Sequence, residues 1–219
     1  MTRALITQRE IKDAYGVPCD CLEKSYVDYF TEMSVSLVPV SNFARPDESV
    51  LKQAELLILT GGGDLSAECY TETVSVSPQP ARDETERFLF EYALKHQIPV
   101  LGICRGMQFI NAFFGGKTVK NFVCKEKRTC GTDHTIKSET ETLSVNHYHN
   151  DFIKTENLAK ELTPLFFDGE NGTVEIFVCP EKKILAFQYH PERRFSDGEA
   201  YLKTRKMIRT FIDNKGLLL

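Results

Sequence analysis

The chain has 219 residues, 42% of them hydrophobic and 26% charged, with a formal net charge of −4. These values fit one soluble domain over residues 1–219, able to bury roughly 70% of its unfolded surface, and exclude a general basic field for nucleic acid. Seven cysteines, at 19, 21, 69, 104, 124, 130 and 179, form an odd set without C-x-x-C spacing, which argues against a disulfide framework and a zinc knuckle and for a reducing cytoplasm.

In chain order, the opening residues carry an apolar run of three, shorter than a signal peptide needs, and no later run reaches membrane-spanning length, so no membrane association is expected. Short apolar runs at 4–7, 36–40, 56–60 and 99–103 predict buried strands. Helical spacing between them covers 21–33, with Leu22, Tyr26, Tyr29, Phe30 and Met33 on one stripe. It returns over 82–96, where Phe88, Leu89, Tyr92, Ala93 and His96 align. This alternation predicts an α/β fold, a mostly parallel sheet flanked by helices. After a helix at 105–114, stopped by Gly115 and Gly116, the pattern changes to short strands broken at 168–172 and 180–183, which predicts antiparallel additions. A closing helix over 197–214 turns Tyr201, Ile208, Phe211 and Ile212 inward.

The sequence Val100-Leu101-Gly102-Ile103-Cys104-Arg105-Gly106 sets one cysteine between an apolar strand and an amphipathic helix. Glycines two before and two after it suit a sharp turn in which any side chain would meet neighbouring backbone. A thiolate at that turn faces the positive end of the helix dipole, a nucleophile's environment. Cysteines outside such a turn are usually small buried hydrophobes.

A cysteine nucleophile needs a base, a group that orients the base, and donors for an oxyanion. Tyr189-His190-Pro191-Glu192 follows the apolar run 184–187, which would deliver His190 at a strand end, with Glu192 positioned to accept its other N–H. Alone, His-Pro-Glu is a common surface turn; beside the elbow it becomes specific. Thr60-Gly61-Gly62-Gly63-Asp64 lacks the Gly-Lys-Ser/Thr of a phosphate-binding loop, and its backbone N–H groups with that of Arg105 suit an oxyanion hole.

Together, Gly102-Ile103-Cys104-Arg105-Gly106-Met107-Gln108, the Gly61–Gly63 loop and His190-Pro191-Glu192 resemble a class I glutamine amidotransferase over nearly the whole chain. Thr-Gly-Gly-Gly-Asp followed by Tyr70, Arg82-Asp83 leading the next helix, and Arg105 after the cysteine resemble the γ-glutamyl hydrolase branch, the C26 peptidases. Within it the likeness is to hydrolases of γ-glutamyl-CDP-amidate in capsular phosphoramidate synthesis. The resemblance implies a flavodoxin-like fold and a catalytic set of Cys104, His190 and Glu192, with oxyanion donors from Gly62, Gly63 and Arg105. It implies substrate contacts from Gln108, Asn146, His147 and His149, with no metal and no organic cofactor.

Relatives carry Val-Asn-Ser-x-His-x-Gln where this chain has Val145-Asn146-His147-Tyr148-His149-Asn150, so the pairing of that segment with substrate does not carry across. A metal on His147 and His149 is set aside for want of further ligands, and His96 and His134 are read as structural. A CDP-linked leaving group would need local cations, for which Arg193 and Arg194 are the candidates against a reading as solvated surface charge. The expected partner is a small γ-glutamyl molecule, with a homo-oligomer left open. The competing readings are a γ-glutamyl-amine hydrolase, a glutaminase subunit feeding ammonia to a synthetase, and a silent glutamyl-metabolite binding protein.

Overall fold

The computed structural model describes residues 1–120 and 130–218; Cys124 lies outside them. The chain runs β1 (Thr2–Thr7), a hairpin of β2 (Arg9–Lys12) and β3 (Pro18–Cys21), α1 (Lys24–Glu32), β4 (Val35–Val40), α2 (Glu48–Leu51), β5 (Leu56–Leu59), α3 (Pro80–His96), β6 (Val100–Ile103) and α4 (Arg105–Phe113). The second half adds β7 (Asp133–Lys137), β8 (Thr142–Asn146), β9 (Thr163–Asp168), β10 (Val174–Cys179), β11 (Ile184–Phe187) and α5 (Gly198–Asp213).

Among the described residues, nine strands form one sheet in the order β4-β1-β5-β6-β11-β10-β9-β7-β8. From β4 to β11 every neighbouring pair is parallel, the 2-1-3-4-5 order of a flavodoxin-like sheet. From β11 to β8 every pair is antiparallel, so the expected α/β sheet with antiparallel additions is the one observed.

Every residue of β5 and β6 is buried, as strands covered on both faces must be. Alternate side chains feed two cores. On one face α1 and α5 pack Phe30, Ile208 and Phe211 against Ala4, Ile6, Leu101 and Ile103. On the other, α3 and α4 pack Leu89, Phe90, Met107 and Ile110 against Leu5, Leu57, Leu59 and Val100. The Asp197 carboxylate caps α5 by accepting from the N–H groups of Glu199 and Ala200. No described helix is long and apolar enough to cross a membrane.

Two departures from the sequence expectation bear on the site. The helix expected at 21–33 begins at Lys24, because Cys21 pairs with Arg9 in the β2–β3 hairpin. That hairpin's Arg-Glu-Ile-Lys strand is half-buried to exposed and has no alternating apolar pattern to announce it. On α3 the buried face is Arg82, Glu86, Leu89, Phe90 and Ala93, whereas His96 is exposed and stacked on Tyr92 with ring centroids 4.1 Å apart.

The register Leu59↔Gly102 and Ile103↔Phe187 brings the C-terminal ends of β5, β6 and β11 side by side. Ligand-binding loops of parallel α/β sheets gather at such ends. Here they are the glycine loop after β5, Cys104 after β6 and His190 beyond β11.

A Cβ on Gly106 would run into the carbonyl oxygen of Leu59, which neither backbone can yield cheaply, whereas one on Gly198 would meet nothing within 4 Å. Gly106→Ala is therefore expected to lose about 1–3 kcal/mol and lower Tm by several degrees in calorimetry. Gly198→Ala should leave Tm unchanged or slightly raised; equal Tm values for the two variants would contradict this packing.

Candidate active site

Cys104 sits between β6 and α4 with φ 53° and ψ −105°, a conformation that side-chain-bearing residues rarely adopt and that persists only where surroundings enforce it. The enforcement is visible. The Cys104 N–H donates to the Phe187 carbonyl at 2.7 Å, and a Cβ on Gly102 would lie 2.7 Å from Ile110 Cδ1. The thiol lies at the wall of a cavity of about 280 Å³, shared with Gly62, Gly63, Gln108, His190 and Arg193.

His190 is buried, and its Nδ1 is 2.6 Å from Glu192 Oε1, which sets Nδ1 as the donor to that carboxylate. Burial acts to lower the ring's pKa, but the Glu192 charge, then the Cys104 charge and hydrogen bonds to both, outweigh it and push it up to about 10. A Cβ on Gly61 would lie 2.7 Å from His190 Cε1 and 3.3 Å from Cys104 Cβ, so the missing side chain there makes room for the pair. Asn146 clamps the turn: its Oδ1 accepts from the His190 N–H at 3.0 Å, and its Nδ2 donates to the carbonyls of His190 and Arg193 at 2.7 and 3.2 Å.

The glycine loop is held from behind. The fully buried Arg82 guanidinium donates to the carbonyls of Thr60, Gly61 and Gly62 at 2.6, 3.1 and 2.7 Å. Gly62 and Gly63 take φ of +85° and +72°, which glycine adopts without penalty, and with Arg105 they line the cavity beside Cys104. The Arg105 side chain turns away from the cavity to pair with Glu86 and Asp83. Glu86 also accepts from Arg82 Nε and Thr7 Oγ1, each at 2.8 Å. Burial acts to raise the Glu86 carboxyl, but the Arg105 and Arg82 charges hold it below the usual carboxylate range. The sequence reading missed this network, because Glu86 sits one turn from Arg82 inside a helix scanned for apolar spacing.

The other expected contacts divide. Gln108 lines the cavity with its Nε2 3.3 Å from the Asp151 carbonyl. His149 lines it too, while His147 is buried with its ring 4.4 Å from that of His149, and Tyr148 faces the cavity beside them. Arg193 lies over the Tyr148 ring at 4.3 Å and pairs with Glu23 at 2.8 Å. Arg194 is not brought to this cavity and lines a separate groove with Asp28, Glu32 and Arg205.

Arg193 apart, sequence reasoning also missed the members of two charge clusters on the cavity wall. Arg9 and Arg193 share the single carboxylate of Glu23, and Lys120 Nζ bridges Asp64 and Asp151 at 2.7 and 3.0 Å. The six residues come from six separate stretches of chain, with no spacing to mark them.

Residues 4–192 match the peptidase C26 family, and the chain belongs to that family, within the class I glutamine amidotransferase-like enzymes that hydrolyse amides. It is 31% identical over 193 residues to the γ-glutamyl-CDP-amidate hydrolase of Campylobacter jejuni, covering 86% of this chain and 88% of that one. It is 30% identical over 191 residues to the glutamine amidotransferase-like protein YvdE of Lactococcus lactis, covering 77% and 79%. A glutamine amidotransferase from Thermotoga maritima shares the fold, with TM-score 0.65, 18% identity and 99% of both chains covered. So does the glutaminase domain of Trypanosoma brucei CTPS, with TM-score 0.67, 14% identity and 100% and 96% covered.

In an NMR titration, His190 should stay protonated up to about pH 10 in the wild type and titrate lower in Glu192→Gln, where the Glu192 charge no longer opposes burial. Because its folded pKa is raised above 6.5, the stability it confers is full below pH 6.5 and lost as pH rises through 10. An unshifted ring in the variant would refute the role of Glu192. Glu86→Ala strands two buried guanidinium groups and should cost about 3–5 kcal/mol in denaturant unfolding, against less for Asp83→Ala, whose side chain is 19% exposed.

Proposed function

We propose that this chain hydrolyses a γ-glutamyl amide through a thioester on Cys104, and that the amide is γ-glutamyl-CDP-amidate. The observation that carries the reading is the meeting of Cys104 with His190 at the ends of adjacent parallel strands, with Glu192 on the far side of the imidazole.

In this reading the Cys104 thiolate adds to the γ-carbonyl carbon, and N–H groups of Gly62, Gly63 and Arg105 receive the oxyanion. As the C–N bond breaks, His190 gives its proton to the departing nitrogen. A γ-glutamyl thioester remains. Water then adds to it, its proton passing to His190, and the breaking C–S bond releases glutamate and restores the thiolate. Glu192 keeps the ring oriented and stabilises its charged form, and Asn146 holds the backbone that carries it.

Two features support the substrate. The 31% identical relative from C. jejuni bears the name of that activity. The cavity's charges are also unevenly divided: the guanidinium groups of Arg9 and Arg193 with the charged His190 ring against the carboxylates of Glu23 and Glu192 at one end, and two carboxylates against one ammonium at the Lys120 end. Gln108 lies beside Asp151, so the acidic end suits the ammonium of the glutamyl group and the basic end suits a diphosphate leaving group. Arg9 thereby takes the role that the sequence suggested for Arg194.

Glutamate release should be measured from glutamine, γ-glutamyl-amines, folyl-γ-glutamates and γ-glutamyl-CDP-amidate. The last should have the highest kcat/KM, and Cys104→Ala should lower it by about 10⁴-fold or more. Arg9→Ala and Arg193→Ala should each raise KM about tenfold for the CDP-amidate while leaving an uncharged γ-glutamyl-amine unaffected. Preference for a neutral amide, or glutamine turnover that begins only on adding a partner synthase, would overturn the reading.

A further inference from the structure

One buried polar cluster has no role in the chemistry described above. His134 on β7, His149 just beyond β8 and Glu175 on β10 converge with side-chain exposures of 2%, 1% and 0%. One nitrogen or oxygen from each lies within 4.8 Å of the others. His134 Nε2 is 3.5 Å from Glu175 Oε2, and His149 Nε2 is 3.9 Å from Glu175 Oε1. Both His134 nitrogens, Nε2 of His149 and both Glu175 oxygens are buried without a hydrogen-bond partner. Buried polar atoms are nearly always paired, and leaving a carboxylate and two imidazoles unpaired is costly.

The tautomer of His149 narrows the explanation. Its Nδ1 lies 3.3 Å from the Asp151 carbonyl oxygen, which only accepts, so Nδ1 carries the hydrogen. In that tautomer Nε2 carries the lone pair, and it lies 3.9 Å from Glu175 Oε1. Two facing acceptors are reconciled by a cation between them.

We propose that His134, His149 and Glu175 hold a divalent transition-metal ion, of which Zn²⁺ fits best, in the wall behind the candidate active site. Two imidazole nitrogens and one carboxylate oxygen are a zinc donor set. Tetrahedral bonds of about 2.1 Å put neighbouring donors about 3.4 Å apart; here the histidine nitrogens lie 3.5 and 3.9 Å from the two Glu175 oxygens, and one donor atom from each residue falls within 4.8 Å of the others. The Nδ1–H of His149 on a backbone carbonyl is the outer hydrogen bond that orients a metal-bound imidazole. Asp168 Oδ2, 3.8 Å from His134 Nε2, adds a second negative charge at the edge of the site.

The ion would be structural. His149 and Asp151 line the cavity that holds Cys104, so a metal there ties that wall to β7 and β10 without touching the thiol. The sequence reading set a metal aside for lack of ligands beyond His147 and His149. The sheet supplies them from strands remote in the chain.

The test is metal binding by the whole chain, stripped of metal with chelator and titrated with Zn²⁺ and with Co²⁺ as a spectroscopic probe. Expected are one equivalent bound by mass spectrometry, a Tm rise of about 5 °C or more, and a tetrahedral Co²⁺ spectrum lacking the thiolate charge-transfer band. Glu175→Gln and His134→Ala should each weaken binding at least 100-fold, while Cys104→Ala keeps the full equivalent. No uptake, a thiolate band, or affinity retained in both variants would overturn the proposal. If neither variant folds, the wild-type titration and Co²⁺ spectrum decide by the same criteria.

Discussion

A carboxylate with no exposure, that of Glu86, is the pivot of the molecule's business end. It faces Arg82, which holds three successive carbonyls of the glycine loop, and Arg105, whose backbone opens the helix behind Cys104. Through Thr7 it also reaches the end of β1. Buried ion pairs contribute little net stability, since removing such charges from water offsets most of their attraction. What this one supplies is geometry. With the carbonyls of residues 60–62 committed to Arg82, the loop is fixed relative to the elbow, and Gly62 and Gly63 are left lining the cavity.

The same economy of placement explains how a chain of net negative charge can present cations locally. Arg9 reaches the cavity on a hairpin inserted between β1 and α1, and Arg193 arrives with the turn that carries His190. Glu23 faces both guanidinium groups and Glu192 faces Arg193 and the charged His190 ring, so three cations meet two carboxylates and that end of the cavity is cationic whatever the sign of the whole molecule. Net charge constrained the class of partner; it could not describe the pocket.

How much of this was legible in the sequence follows from the range of each determinant. The elbow was readable because strand, glycines and cysteine are contiguous, and Gly102 and Gly106 do meet Ile110 and Leu59 where a Cβ would have to go. His190 and Glu192 were readable because a single residue separates them and the strand before them is apolar. Arg194 was a guess by adjacency, and the turn after His190 sends Arg193 to the cavity and Arg194 to another groove. The β2–β3 hairpin gave no periodic signal because little of it is buried. Asn146 was picked out by its motif, but only the fold shows its amide spanning the backbone of His190 and Arg193. The His134, His149 and Glu175 cluster joins three segments that only the antiparallel half of the sheet brings together.

That antiparallel half has a further consequence for the cysteine. Side chains alternate across a strand, so a slip of one residue between β11 and β6 would turn the His190 segment to the opposite face. Parallel pairing with β6 fixes β11 on one side through Ile103↔Phe187, and β10 fixes it on the other through Ile176↔Phe187. Beyond the end of β11 the Gln188 N–H still donates to the Glu175 carbonyl at 2.8 Å, carrying the register one residue closer to His190. Glu175 thus offers its backbone to the strand that delivers the imidazole and its side chain to the buried histidines. Whatever fixes β10 therefore also fixes the distance between the His190 ring and the Cys104 sulfur.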